Sequence, residues 1–279
     1  MGERQLPGGQ TMSEVRNKGE VIYQVHDLSV NLRRRGQERV ILKSLSFDVR
    51  KEECLSIVGP SGTGKTTLLR ALAGLIPYAG SVRYLGETLD GPASDVVLVF
   101  QDYVNALLRW RTVQKNVALG IEGRIPRDQC QVRIDEAIET VGLQNYRDSY
   151  PWELSGGMQQ RVQIARALAM KPKVLLFDEP FGSLDAMTRE GLQDELLRVR
   201  SVFQATCVFI THDIDEAVYL GDRLMLLSGS PASLSFEVDI HLGETRNQIS
   251  TKESGEFLSL RHQVHEQMRK AHGASQSTN

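Results

Sequence analysis

The octapeptide Gly59-Pro60-Ser61-Gly62-Thr63-Gly64-Lys65-Thr66 follows directly on the apolar run Cys54-Leu55-Ser56-Ile57-Val58. It leads into Leu68, Leu69, Ala71, Leu72 and Ala73, which Gly74 and Pro77 bring to a stop. A short continuous apolar run reads as a buried strand and the segment after Lys65 as a helix, so the glycines must turn the chain between them. This order predicts an α/β fold around a mostly parallel sheet. Gly59, Gly62 and Gly64 allow successive N–H groups to point inward and form an anion nest at a helix N-terminus. Lys65 is then placed to reach the β and γ phosphates of a nucleotide, and the Thr66 hydroxyl to meet Mg²⁺, a hard cation that takes oxygen ligands. The expected phosphate contacts are Gly59, Pro60, Ser61, Gly62, Thr63, Gly64, Lys65, Thr66 and Thr67.

Three more blocks carry chemistry. Val174-Leu175-Leu176-Phe177 reads as a buried strand whose end delivers Asp178 and Glu179, the first suited to hold Mg²⁺ through water and the second to act as general base. Leu154-Ser155-Gly156-Gly157-Met158-Gln159 opens a helix running to about Met170. Its start lacks bulk and carries the positive end of the helix dipole, which suits a phosphate, although one phosphate cradle is already present. Thr211-His212-Asp213 ends the apolar run Val208-Phe209-Ile210. A lone histidine there is ordinarily structural.

In this order the four blocks resemble the ATP-binding cassette (ABC) family of transporter ATPases. The resemblance implies a P-loop NTPase core of the RecA-like type, with an N-terminal antiparallel β subdomain and an inserted helical lobe. It also implies ATP and Mg²⁺ as ligands and a homodimer in which Ser155, Gly156, Gly157 and Gln159 of one copy close over ATP held by the other. Ser183-Leu184-Asp185, following Pro180, then lines the dimer seam. His212 matches the family's switch histidine at the γ-phosphate, and Gln101 the glutamine that senses Mg²⁺ and the attacking water. The implied catalytic set is Lys65, Gln101, Glu179 and His212, and the implied metal set Thr66, Gln101 and Asp178. The sequence departs from the family where an aromatic residue normally stacks on adenine: Leu32 stands there, and Tyr23 falls too early. Either an aliphatic contact or a guanidinium from Arg33 to Arg35 replaces the stack.

Residues 1–19 read as a loose polar tail, 20–235 as the ATPase domain with its lobe at about 102–160, 236–270 as an extension and 271–279 as a second tail. Alternation at Val21, Tyr23, Val25, Leu28, Val30 and Leu32 predicts a strand, with short strands at 40–42 and 45–49 after a basic turn. Further strands are expected at 82–85, 88–89, 96–100, 207–211 and 223–227.

A net charge of −2 and a pI near 6.3 give no footprint for nucleic acid. Cys54, Cys130 and Cys207 lack metal-ligand spacing and read as reduced thiols. No apolar stretch approaches the ~20 residues that span a bilayer, so work at a membrane requires partners. Leu107-Leu108-Arg109-Trp110, Thr211 to Ala217 and the segment 256–269 resemble import ATPases of the nitrate, sulfonate and taurine type. The resemblance implies membrane-spanning permease subunits, a second ATPase subunit, a periplasmic solute-binding protein, and a place on the cytoplasmic face of a bacterial inner membrane. An exporter ATPase, for example for lipids, and a soluble ABC protein are the alternatives. Trp110 either meets the permease near Gln101 or anchors the lobe from inside.

Overall fold

An antiparallel ribbon comes first among the described residues, and from Val174 to Gly229 strands alternate with helices. The computed structural model describes residues 19–34, 37–100, 103–182, 184–243 and 245–276. Expectations for Arg35, Gly36, Gln101, Asp102, Ser183 and the stretch before residue 19 lie outside the described residues.

Strands β1 (Val21–Arg34) and β2 (Gln37–Arg50) form the ribbon, with β4 (Ala79–Tyr84) and β5 (Glu87–Thr88) beyond β1. The two short strands expected at 40–42 and 45–49 are one strand. Irregularities in the β1–β2 register and a positive φ of 49° at Ser44 absorb the break in the apolar alternation between them. Strands β3 (Cys54–Val58), β6 (Val96–Val99), β7 (Val174–Asp178), β8 (Thr206–Ile210), β9 (Arg223–Gly229) and β10 (Ala232–Asp239) complete a 10-stranded sheet ordered β5-β4-β1-β2-β10-β9-β3-β8-β7-β6. From β9 to β6 the strands are parallel, and β10 joins this half to the ribbon through the pair Ala232↔Leu42.

Two apolar layers cover the parallel half. Helix α1 (Lys65–Leu72) packs Leu68, Leu69 and Leu72 on one layer with Leu176, Val208 and Ile210. Phe177, Cys207 and Phe209 point into the other. Every residue of β3, β7 and β8 is therefore buried, as continuous apolar runs require. The second layer holds α2 (Tyr103–Ala106), α3 (Val113–Ala118), α4 (Arg127–Thr140) and α5 (Gly156–Ala169). It also holds α6 (Ala186–Phe203), α7 (Ile214–Leu220) and α8 (Gly255–Gln276). Helix α5 packs on α3, α4 and also on β6, so the expected lobe limit at 160 falls inside a helix shared with the core. Likewise β10 crosses the expected limit at 235, because its ladder with β9 runs on to Asp239↔Arg223. Helix α8 reaches Gln276, past Ala271 where a tail was expected; once Phe257 and Val264 dock, each further residue adds a helical bond at little cost.

Arg223 ties the two sheet halves together. Its Nε donates to Glu53 Oε1 at 2.7 Å and its Nη1 to Glu237 Oε1 at 2.7 Å, while Nη2 donates to the Asp48 carbonyl. Glu53 is 7% exposed, and its burial pushes the carboxyl above the usual range against the pull of Arg223 and the Arg50 N–H. Arg223→Leu leaves a buried carboxylate with only Arg50, at 4.0 Å, as a cation and is expected to cost about 3–5 kcal/mol near neutral pH. The raised carboxyl pKa fixes the sign of the pH effect. Protonation of Glu53 removes the under-compensated charge, so the loss shrinks as the pH falls through that pKa. Urea denaturation of both proteins at neutral and acidic pH measures it.

Candidate nucleotide hydrolysis site

Strands β3, β8 and β7 are neighbours, with Ile57 opposite Ile210 and Ile210 opposite Asp178. Three of the four sequence blocks therefore leave the sheet side by side at the carboxyl ends of its strands, where open α/β sheets bind ligands. The loop after β3 must pass close under β9: a Cβ on Gly59 would lie 2.4 Å from the Leu227 carbonyl oxygen. Gly62 and Gly64 hold φ of 83° and 85°, the left-handed region that glycine adopts without strain, and Gly64 caps α1. Thr63 Oγ1 donates to the Pro60 carbonyl at 2.8 Å and closes the curl.

Lys65 is 5% exposed at the start of α1. Its ammonium donates to the Gly59 and Pro60 carbonyls at 2.8 and 3.1 Å and lies 3.8 Å from Glu179 Oε1. Burial lowers its pKa, while Glu179 and Asp178 pull it upward. Thr66 Oγ1 donates to Asp178 Oδ1 at 2.9 Å, so the two side chains that the sequence assigns to Mg²⁺ touch. Burial pushes the Asp178 carboxyl up, the Thr66 hydroxyl opposes this, and the Glu179 charge reinforces it. No group of three or more His, Cys, Asp or Glu among the described residues could cage a metal ion. A hydroxyl beside one carboxylate suits Mg²⁺, which draws its remaining oxygens from phosphate and water.

Glu179 holds a φ of 44°, rare for a non-glycine residue, and its N–H donates to the Ile210 carbonyl at 3.0 Å. This bend, held by the end of β8, brings Glu179 Oε2 within 2.9 Å of His212 Nδ1. The carboxylate thus stands between Lys65 and His212.

The fourth block stays apart. Among the described residues, none of Ser155, Gly156, Gly157 or Gln159 hydrogen-bonds to the loop, Asp178, Glu179 or His212. Ser155 is exposed and caps α5 by accepting from the Met158 N–H at 3.3 Å. Gly157 is needed for packing, since a Cβ there would lie 2.4 Å from Thr188 Cγ2 of α6. Asp185 caps α6, accepting from Thr188 N at 3.1 Å. The Gln159 amide donates to the Pro151 and Leu154 carbonyls at 2.9 and 3.2 Å, bracing the turn before α5.

Several supports escaped the sequence reading. Arg189 donates to the Leu184 carbonyl at 3.0 Å and faces Asp213 and Glu216, each at 3.7 Å, so it joins the Asp185 segment to the His212 segment. Glu216 accepts from Thr211 Oγ1 at 2.6 Å, and Asp213 caps α7 through the Asp215 and Glu216 amides. An Asp followed three residues later by Glu is a capping signal that was there to be read. Buried Asn116 pins the loop 107–112, bonding Leu108, Arg111 and Thr112 through its amide and accepting from Arg166 at 2.8 Å. That loop holds Trp110 at 74% exposure, which rules out the internal anchor. Tyr23 is fully buried, with its hydroxyl on the Leu72 carbonyl, and is closed to any base. Leu32 is 38% exposed on β1.

Residues 42–182 match the family profile described as ABC transporter. The chain belongs to the ABC transporter family. The cassette is 42% identical, over 89% of its length and 92% of the relative's, to an uncharacterized ABC transporter ATP-binding protein of Methanocaldococcus jannaschii. The aliphatic sulfonates import ATP-binding protein SsuB of Bacillus subtilis shares 41% identity over 82% of the cassette and 87% of SsuB. The nitrate import ATP-binding protein NrtC of Synechococcus elongatus shares 40% over 87% of the cassette, which spans only 37% of NrtC. Among solved structures, the dimeric ATP-binding cassette MJ0796 bound to ADP and Pi superposes with a TM-score of 0.69. The identity is 27%, over 79% of this cassette and 99% of that chain. The fold is that of an ABC ATPase and the protein is an ATPase. No helix among the described residues is long and apolar enough to cross a membrane.

Proposed function

We propose that this cassette is the ATP-hydrolysing subunit of an importer for a small anion of the sulfonate or nitrate class. It acts as a head-to-tail homodimer beneath separate membrane-spanning permease subunits, fed by a solute-binding protein on the far side of the membrane. The observation that carries the enzymatic part is the convergence of Lys65, the Thr66–Asp178 pair and the Glu179–His212 pair at the carboxyl ends of neighbouring strands. The loop amides and Lys65 bind the triphosphate. Glu179 takes the proton of the attacking water, and His212 orients that carboxylate and meets the γ-phosphate. Thr66 and Asp178, with Gln101, would hold Mg²⁺, which would supply charge neutralisation to the triphosphate. Ser155, Gly156 and Gly157 of the second copy close the site at Asp185, so that binding pulls the copies together and product release parts them. Exposed Trp110 faces the permease.

The test is purification of the cassette from its native membranes with its bound permease, followed by reconstitution into liposomes. Import requires ATP hydrolysis to rise when solute-loaded binding protein is added on the face opposite the cassette. A permease that responds instead to its lipid substrate, with no binding protein, sinks the importer reading and leaves the ATPase intact.

A further inference from the structure

An adenine ring has no aromatic partner on the hairpin before the P-loop. Leu32 presents an aliphatic side chain, and the hairpin's aromatics Tyr23 and Phe47 are buried. An unused aromatic surface lies elsewhere. The short turn Pro151–Glu153, directly before Ser155, carries Trp152 with 62% of its surface exposed. Its indole lies flat against Tyr150, with ring centroids 4.6 Å apart and planes 7° from parallel. The turn is fixed on both sides. Glu153 Oε2 accepts from the Tyr150 N–H at 2.6 Å, and the Pro151 carbonyl accepts from the Gln159 amide at 2.9 Å. Pro151 and Leu154 are buried beneath it. One indole face is covered by Tyr150, and the rest of the ring is exposed three residues before Ser155, which is exposed as well.

We infer that Trp152 of one copy stacks on the adenine of ATP held by the P-loop of the second copy, so that purine recognition belongs to the dimer. The inference rests on the head-to-tail dimer proposed above. Ser155 is then the contact to the terminal phosphate; Trp152 stands three residues before it in a turn that keeps the backbone short of the roughly 10 Å of an extended stretch, and the indole side chain extends the reach along the ribose toward the base. A flat ring held by a second ring and a braced turn loses little freedom on stacking, so the binding energy is not spent on ordering it. A π-face accepts a base without hydrogen-bond matching and favours the larger purine surface.

The experiment uses the full chain carrying Glu179→Gln, which keeps the phosphate site and removes the base. The ATP concentration for half-maximal dimerisation is read by size-exclusion mass. Adding Trp152→Ala is expected to raise it about tenfold and to narrow the preference for ATP over CTP. Trp152→Phe is expected to restore most of both, and ATP affinity of the dilute monomer is expected to stay unchanged. The chain has two tryptophans, so Trp110→Phe leaves Trp152 as the sole indole. Its emission should then fall as ATP drives dimerisation, with no fall on monomer binding. If Glu179→Gln dimerises with ATP but Trp152→Ala changes neither midpoint nor base preference, the inference is overturned while the dimer stands; the indole is then free for a permease helix. If Glu179→Gln stays monomeric at saturating ATP, the dimer and the inference fail together.

Discussion

Glu179→Gln is expected to lower ATP turnover by roughly a hundred- to ten-thousand-fold, the contribution of a positioned general base, with nucleotide affinity kept. The two parts of this result have separate structural causes. The amide retains the size and polarity of the carboxylate, so the contact with His212 at 2.9 Å survives in one of its tautomers and the strained backbone at φ 44° is untouched. What disappears is the basic carboxylate: the amide oxygen still accepts a hydrogen bond but is too weak a base to take the proton of water. Lys65 also loses its carboxylate neighbour at 3.8 Å, which leaves the ammonium with the phosphates, the loop carbonyls and the more distant charge of Asp178. Single-turnover hydrolysis, set beside ADP and ATP titrations, separates the two parts. A variant that turns over at the wild-type rate would show that another group takes the proton and would remove Glu179 from the chemistry.

Lys65→Ala is expected to weaken nucleotide binding by about 2–5 kcal/mol, the scale for truncating one member of a buried charge pair, and turnover falls with it. The Lys65 side chain is 5% exposed, so its attraction to phosphate is little screened by water. It also braces the loop through the Gly59 and Pro60 carbonyls at 2.8 and 3.1 Å. Calorimetric titration with ADP measures the affinity, and thermal unfolding without nucleotide reports the bracing separately. Unchanged ADP affinity would mean that the amide nest holds the phosphates unaided.

The sequence alone determined the strand–loop–helix unit at residues 54–72, the strands delivering Asp178 and His212, and the helix opening at Ser155. Each is local: an apolar run long enough to bury, a glycine where the backbone must turn, a capping residue at a helix start. Leu32 was legible as an aliphatic residue where the family resemblance implies an aromatic, because residue type at a position is visible without a fold. Only the tertiary structure placed β3, β8 and β7 side by side, and with that the contacts of Thr66 with Asp178 and of Glu179 with His212. It merged the two strands expected at 40–42 and 45–49, carried β10 and α8 past their expected limits, and turned Trp110 outward. It also revealed Arg189, Asn116 and Arg223 as the groups that join segments distant along the chain. The division has a physical basis. Backbone conformation answers to near neighbours and side-chain periodicity, whereas strand order, ion-pair partners and the exposed face of an aromatic ring depend on residues a hundred or more positions away, which the chain brings together only on folding.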